Sequence, residues 1–160
     1  MPVDLVVPSD DLAAAWQDAH AEWGPGFHED GFGLAADDDA VSTQGFSDWV
    51  ERLRADVECT CRWIAEDERV LGGIALRHDS NKSVGRRGHI GYGVRPSERG
   101  RGVATWAVRE MLMLAADLGM TRITAVCAVD NAASIATLKR AGGEQVGRLG
   151  SVVRFWIPVP

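Results

Sequence analysis

No apolar run in this sequence approaches the roughly 20 residues that a membrane-spanning helix needs, so no membrane association is expected. The opening residues Met1-Pro2-Val3-Asp4 lack the basic patch and apolar stretch of a secretory signal, which makes a cytoplasmic location the expectation. Cysteine is scarce and odd in number, three in 160 residues, which argues against a disulfide framework. Nor do the four histidines, His20, His28, His78 and His89, stand at ligand spacing, so no metal centre is expected. Cys59, Cys61 and Cys127 are instead expected to pack as small apolar side chains, Cys59 and Cys61 on one face if their stretch is a strand. Internal repeats and low-complexity segments are also missing. What remains is an ordinary globular composition, 46% apolar and 25% charged, long enough to bury a core as one domain over residues 1–160.

Excess positive charge is lacking too: the net charge is −6, a poor match to nonspecific nucleic-acid binding, so no nucleic-acid partner is expected. The average hides an asymmetry. Residues 1–70 carry 17 Asp and Glu against 4 Arg, whereas residues 71–160 carry 13 Lys and Arg against 6 Asp and Glu. The basic part suits an anionic cofactor. The acidic part is either a solvated face or the side that receives a cationic acceptor.

Along the chain, Val3 to Val7 reads as a short β-rich strand. Ser9 then caps a helix through Trp23, with Asp10 and Asp11 in its first turn and Gly24-Pro25-Gly26 as its stop. Residues 27–45 read as a long loop, and a second helix starts at Ser47 with Trp49, Val50 and Leu53 on one face. Cys61–Ala65 and Val70–His78 form a hairpin around Glu66-Asp67-Glu68-Arg69, followed by a polar loop, Asp79–Gly88. His89–Arg95 is the next strand, stopped by Pro96. Gly102–Leu118 is a helix whose stripe is Val103, Ala107, Met111, Leu114 and Leu118, with Gly119 as its stop. A strand over Arg122–Val129, a helix over Asn131–Ala141, and last strands at Gln145–Val146 and Val152–Val159 complete the series. The order β-α-α-β-β-β-α-β-α-β-β predicts an α/β (α+β) fold: a mixed, mostly antiparallel sheet with helices on both faces and one parallel crossover.

The chemistry concentrates in Val94-Arg95-Pro96-Ser97-Glu98-Arg99-Gly100-Arg101-Gly102-Val103-Ala104, which lies between a strand and a helix N-terminus. The first N–H groups of a helix have no internal partner, and the helix dipole puts positive potential there. Glycine lets backbone approach a phosphate closely, and Arg99 and Arg101 add charge-assisted hydrogen bonds, so a diphosphate is the natural ligand. No Gly-Lys-Ser/Thr follows, which excludes a Walker A loop. The preceding hairpin and the missing acidic ribose ligand exclude a dinucleotide fingerprint.

The segment resembles the acetyl-CoA signature of the GNAT N-acetyltransferase superfamily, Arg/Gln-x-x-Gly-x-Gly/Ala, met by Arg99, Gly102 and Ala104 with the Val-x-Pro lead-in at Val94 and Pro96. Asn131 to Gly143 is similar to the superfamily's Asn-x-x-Ala/Ser-x-x-x-Tyr-x-x-x-Gly-Phe segment, and residues 60–145 resemble one bacterial subgroup of poorly characterised members. The resemblance implies a GNAT-like fold, acetyl-CoA as co-substrate with no metal, and acetyl transfer to a primary amine of a small-molecule or peptidyl acceptor by direct attack. By analogy it also implies a homodimer. Val94 would pair its backbone with the pantetheine arm. Arg99, Gly100, Arg101, Gly102, Val103, Ala104 and Thr105 would hold the diphosphate, while Asn131 and Ser134 would touch the cofactor from the neighbouring helix. A backbone N–H of the 92–94 strand would be the oxyanion donor.

Two departures qualify the chemistry. Leu138 stands where many members have the Tyr that protonates the leaving thiolate, and Gly143 replaces the usual Phe. His89 and Tyr92 are the candidate catalytic residues, although strand alternation puts His89 on the face opposite Tyr92 and Val94 unless a bulge intervenes. The missing Tyr keeps a second reading open, a catalytically silent acyl-CoA-binding or regulatory module. Trp23 and Trp49 either pack in the core or border an acceptor pocket. Arg77 and His78, ending the adjacent strand, face either acceptor or solvent.

Overall fold

The computed structural model describes residues 2–23, 32–35 and 37–160. The expected stop at Gly24-Pro25-Gly26, His28 and part of the 27–45 loop lie outside the described residues. The elements are strands β1 (Val3–Val6), β2 (Cys59–Glu66), β3 (Arg69–Arg77), β4 (Ile90–Val94), β5 (Arg122–Ala128), β6 (Glu144–Leu149) and β7 (Val152–Pro158). The helices are α1 (Ala13–Trp23), α2 (Thr43–Ala55), α3 (Val84–Arg87), α4 (Val103–Asp117) and α5 (Ala132–Arg140). The order is the expected one with one short addition, α3, inside the segment read as a polar loop. No described helix is long and apolar enough to cross a membrane.

The seven strands form one sheet in the order β1-β2-β3-β4-β5-β7-β6. Every pairing is antiparallel except β4 with β5. β3 is an interior strand, and the run Val70 to Leu76 is buried throughout, as a strand covered on both faces must be. The β2–β3 hairpin turns at Asp67, the one described non-glycine residue with positive φ (55°), as a tight turn requires.

Two cores lie on opposite faces. Ile64, Leu71, Ile74 and Leu76 pack with Val103, Ala107, Met111 and Leu138 beneath α4 and α5. Trp63, Val70 and Ala75 pack with Trp16, Phe46 and Trp49 beneath α1 and α2. Trp16, Trp49 and Trp63 interlock there, with ring centroids 4.7 Å apart for Trp16–Trp49 and 5.8 Å for Trp49–Trp63. Trp49 is therefore core. Trp23 packs edge-on against Phe32 at 5.3 Å.

Several element ends differ from the sequence reading, three of them for a visible reason. α2 starts four residues before Ser47, because the Ser42 hydroxyl accepts the Gly45 N–H and caps it, while Asp39 accepts the N–H groups of Val41 and Ser42. Leu118 is the C-cap of α4 and 52% exposed; the buried stripe continues instead through Val108, Leu112 and Ala115. β6 runs to Leu149 with every residue exposed, so it carries no alternating apolar signal.

Gly72 fixes how closely β3 approaches β4. A Cβ built there falls 2.1 Å from the Gly93 carbonyl oxygen, inside any permissible contact. Gly72→Ala is expected to lower the free energy of unfolding by about 2–3 kcal/mol through overpacking, read as a lower urea midpoint at unchanged m-value; an unchanged midpoint contradicts this packing.

Candidate active site

β4 and β5 share one parallel register pair, Ile90↔Ala125. Below it the join is firm. His89 N–H donates to the Thr124 carbonyl at 2.8 Å, and His89 Nδ1 accepts the Thr124 N–H at 2.8 Å. Above it the strands part. The Arg95 N–H donates to Leu71 of β3, so backbone alternation directs the Val94 N–H to the opposite side, into the gap. A buried N–H must find a partner, and the gap is where an amide-bearing ligand supplies one.

A cavity of about 640 Å³ occupies this fork on the α4–α5 face. Val94, Arg99, Gly100, Gly102, Val103, Ala104, Thr105, Asn131 and Ser134 line it, together with Tyr92. The expected cofactor residues are therefore brought together, with one exception. Arg101 does not line the cavity: it pairs with Glu66 at 2.9 Å and with Glu98, and both carboxylates raise its pKa. Glu98, which does line the cavity, is held by hydrogen bonds from Arg69 and Arg101 that push its carboxyl below the usual range. These contacts offset the one carboxylate among the described residues that line the cavity.

Backbone makes up much of the remaining wall. Gly102 is the N-cap of α4 with φ 78°, a left-handed conformation in which glycine is unstrained, and it offers no side chain between the first-turn N–H groups and the cavity. Arg99 reaches back to the Val94 carbonyl through Nε at 2.9 Å and lines the same cavity. Sequence reasoning missed Arg140, a further lining cation. Its signal was available, since Asn131, Ser134, Thr137 and Arg140 recur at steps of three on α5.

Tyr92 crosses the fork. Its hydroxyl lies 2.7 Å from Ser134 Oγ, and the Asn131 side chain caps α5 by accepting the Ser134 N–H at 3.1 Å. Leu138 is buried in the core, so the motif position that many members fill with Tyr is apolar and dry here. Gly143 has a steric reason as well: a Cβ there would fall 2.6 Å from the Leu138 carbonyl, which excludes the usual Phe in this backbone.

His89 stands elsewhere. Because Nδ1 accepts a backbone N–H, the proton sits on Nε2, which faces Asp79 Oδ1 at 2.8 Å. Both ring nitrogens are thus engaged, and His89 lines neither this cavity nor the one described next. In this geometry His89, one of the two candidate catalytic residues, ties β4 to β5 at the closed end of the fork.

A second cavity, also about 640 Å³, lies on the α1–α2 face. Phe32, Cys59, Cys61, Ala75, Arg52, Arg77 and Arg87 contribute to its wall. Cys59 and Cys61 share a face as expected, with sulfurs 3.9 Å apart; that contact lowers the Cys59 pKa and raises that of Cys61. Arg77 faces this cavity, whereas His78 bonds Thr60 at 2.8 Å. No cluster of three or more metal-ligating side chains occurs among the described residues.

The segment after β4 is anchored to α1. Arg95, with a side chain only 6% exposed, binds Asp18 at 3.0 Å and Glu22 at 2.9 Å. Burial opposes its charge, but the hydrogen bonds to Glu22 and Asp18 outweigh it and raise its pKa. Glu22 also accepts the Ser97 N–H at 2.8 Å, and with Arg95 this lowers its pKa from 4.5 to about 2.

A model of the GNAT acetyltransferase domain matches residues 5–144. No curated protein sequence matches the chain significantly. Among solved structures, the microcin C7 self-immunity acetyltransferase MccE, determined with acetyl-CoA and AMP, is 16% identical with a TM-score of 0.68, over 98% of this chain and 92% of that one. A spermidine N-acetyltransferase chimera from Vibrio cholerae and hSSAT is 15% identical with a TM-score of 0.70, over 99% and 96%. A ribosomal-protein-S5-alanine acetyltransferase from Vibrio fischeri gives 15%, 0.70, 98% and 92%. At these identities the likeness establishes the fold.

A folded-state pKa below the unfolded one gives stability that is complete above the unfolded value and lost as pH falls through the folded value. For Glu22 the window runs from 4.5 down to about 2. Across it, Glu22→Gln should lose thermal stability less steeply than the parent protein, and at pH 7 it should melt lower; parallel melting curves over that window would contradict the anchor.

Proposed function

Since the chain belongs to the GNAT acetyltransferase domain family, we propose that it is an acetyl-CoA-dependent N-acetyltransferase that passes the acetyl group to a primary amine by direct attack. The observation that carries this reading is the fork itself, a parallel pair that ends after Ile90↔Ala125 and opens onto the N-terminus of α4. The residues present fit acetyl-CoA. N–H groups of Gly102 to Thr105, with Arg99, suit the diphosphate, and the Val94 N–H suits an amide of the pantetheine arm. Arg140 adds a cation at the same cavity.

Bound acetyl-CoA would supply the activated acetyl group as its thioester. The chain's own part is to orient and to move protons. A backbone N–H of the 92–94 strand facing the fork acts as oxyanion donor, fixed in place by the β3–β4 ladder. Tyr92 Oη serves as the acid for the leaving thiolate, in place of the Tyr that Leu138 displaces, with Ser134 Oγ 2.7 Å away to orient its proton. The dry environment of Leu138 favours the rival reading, an acyl-CoA-binding module without turnover. That reading requires cofactor binding with no CoA release over a broad amine panel.

At acetyl-CoA 100 times its Kd, linkage adds about 2.7 kcal/mol, equivalent to a rise in Tm of about 5–10 °C at this chain length. Gly102→Glu should abolish the rise by placing a strained carboxylate at the phosphate site; no rise in the parent protein at saturating acetyl-CoA sinks the reading. With an acceptor in hand, Tyr92→Phe should lower kcat about 10²-fold with little change in KM for acetyl-CoA, and an unchanged kcat removes Tyr92 as the acid.

A further inference from the structure

We infer that Cys59 is a modification site: its thiol, facing the α1–α2 cavity beside Cys61, exchanges with low-molecular-weight disulfides and carries the small thiol as a mixed disulfide in that cavity. This is a second chemistry, on the face of the sheet opposite the fork, and it is independent of acetyl transfer.

Cys59 and Cys61 are two residues apart on β2, so strand alternation turns both side chains to one face. That face is the α1–α2 side, where Cys61 is buried with Trp63 and Ala75 and Cys59 packs against the same core. Both thiols also line the cavity of about 640 Å³, Cys61 as a buried residue and Cys59 as a half-buried one. The more accessible of the two thus stands beside open volume that can house an attached group.

The sulfurs lie 3.9 Å apart, within reach of an S–H···S hydrogen bond. When Cys59 gives up its proton, the Cys61 S–H can donate to the thiolate left behind, and that contact lowers the Cys59 pKa against the opposing effect of burial. The charge of Arg77, itself bonded to the Gly88 carbonyl at 3.2 Å, adds to the lowering. The same contact, with burial, holds the Cys61 proton in place, and burial raises the pKa of Cys127. The thiolate is the nucleophile in exchange, so the three free cysteines divide into one reactive thiol and two protonated ones.

In the step, the Cys59 sulfur attacks one sulfur of the small disulfide. That S–S bond breaks, a bond from Cys59 Sγ to the attacked sulfur forms, and the other half leaves as a thiolate that takes up the proton Cys59 released. The Cys59 sulfur is oxidised and the leaving sulfur reduced, so no further oxidant is needed. Closure onto Cys61 does not follow. At strand spacing the β-carbons of residues two apart are separated by roughly 6.6 Å, whereas a disulfide holds them at about 3.5–4.5 Å. The ladder to β3 fixes Cys59 opposite Arg77 and Cys61 opposite Ala75, so Cys61 cannot displace the small thiol without breaking it.

The test treats the full chain with 2-hydroxyethyl disulfide and follows it by intact mass and peptide mapping. One mercaptoethanol group should be gained, on Cys59, and lost again on adding dithiothreitol, with Cys61 and Cys127 unmodified. The exchange rate should reach half its plateau at a lower pH than in the same chain unfolded in urea, where the thiols are ordinary. Cys59→Ser should take up nothing, and Cys127→Ser should react as the parent protein does. Cys61→Ala should slow the reaction at pH 7 about three-fold or more, because the loss of thiolate outweighs the gain in nucleophilicity, and should move the half-point upward. Uptake first at Cys61 or Cys127 overturns the inference, as does a loss of two hydrogens in place of the added group. So does a half-point in the folded parent protein at or above that of the unfolded chain, a result that needs no variant to fold.

Discussion

The parting of β4 from β5 is the constraint on which the rest of the molecule depends. A parallel ladder that ended in solvent would leave few unmet hydrogen bonds. This one ends inside the protein, between two cores, with the buried Val94 turning its N–H toward the gap. The fork is held at its base by His89, which joins Thr124 of β5 and Asp79 of the preceding loop. It is spanned higher up by Tyr92 and Ser134. Open backbone of this kind is tolerated where a ligand completes it.

Around the fork the charges are arranged so that two of the cations between β4 and α4, Arg95 and Arg101, are tied to protein carboxylates. Arg101 is tied to Glu66 and Glu98, and Arg95 to Asp18 and Glu22. Of these cations Arg95 is the buried one, so removing its carboxylate partners would strand a charge away from water. The loop's geometry is thereby held rigid, and its backbone N–H groups, more than its arginine side chains, face the cavity. Arg99 and Arg140 are the lining cations.

Much of this was legible in the sequence. Strand and helix order followed from apolar period and punctuation, because β3, β4 and α4 carry strong apolar patterns. The Gly-rich turn that leads into α4 was legible, because its glycines and the apolar stripe of the helix both punctuate it. Features that depend on pairing across the chain were not. Arg101 reads as a phosphate ligand until Glu66, 35 residues away, is brought beside it. That the Thr124 N–H occupies His89 Nδ1 likewise depends on a pairing 35 residues apart. The acidic first part of the sequence reads either as a solvated face or as the side that receives a cationic acceptor; that Asp18, Glu22 and Asp38 pair with arginines of the same chain was not legible. β6 was read only at Gln145–Val146 because an edge strand with every residue exposed has no buried face to reveal its length.

The most direct measurement is a crystal structure with acetyl-CoA bound. The account predicts the diphosphate against the N–H groups of Gly102 to Thr105, the pantetheine arm in the β4–β5 gap beside Val94, and the thioester sulfur within about 3.5–4 Å of Tyr92 Oη, the reach of a hydrogen bond to sulfur. A cofactor seated outside the gap, or a thioester sulfur beyond reach of Tyr92, would contradict it.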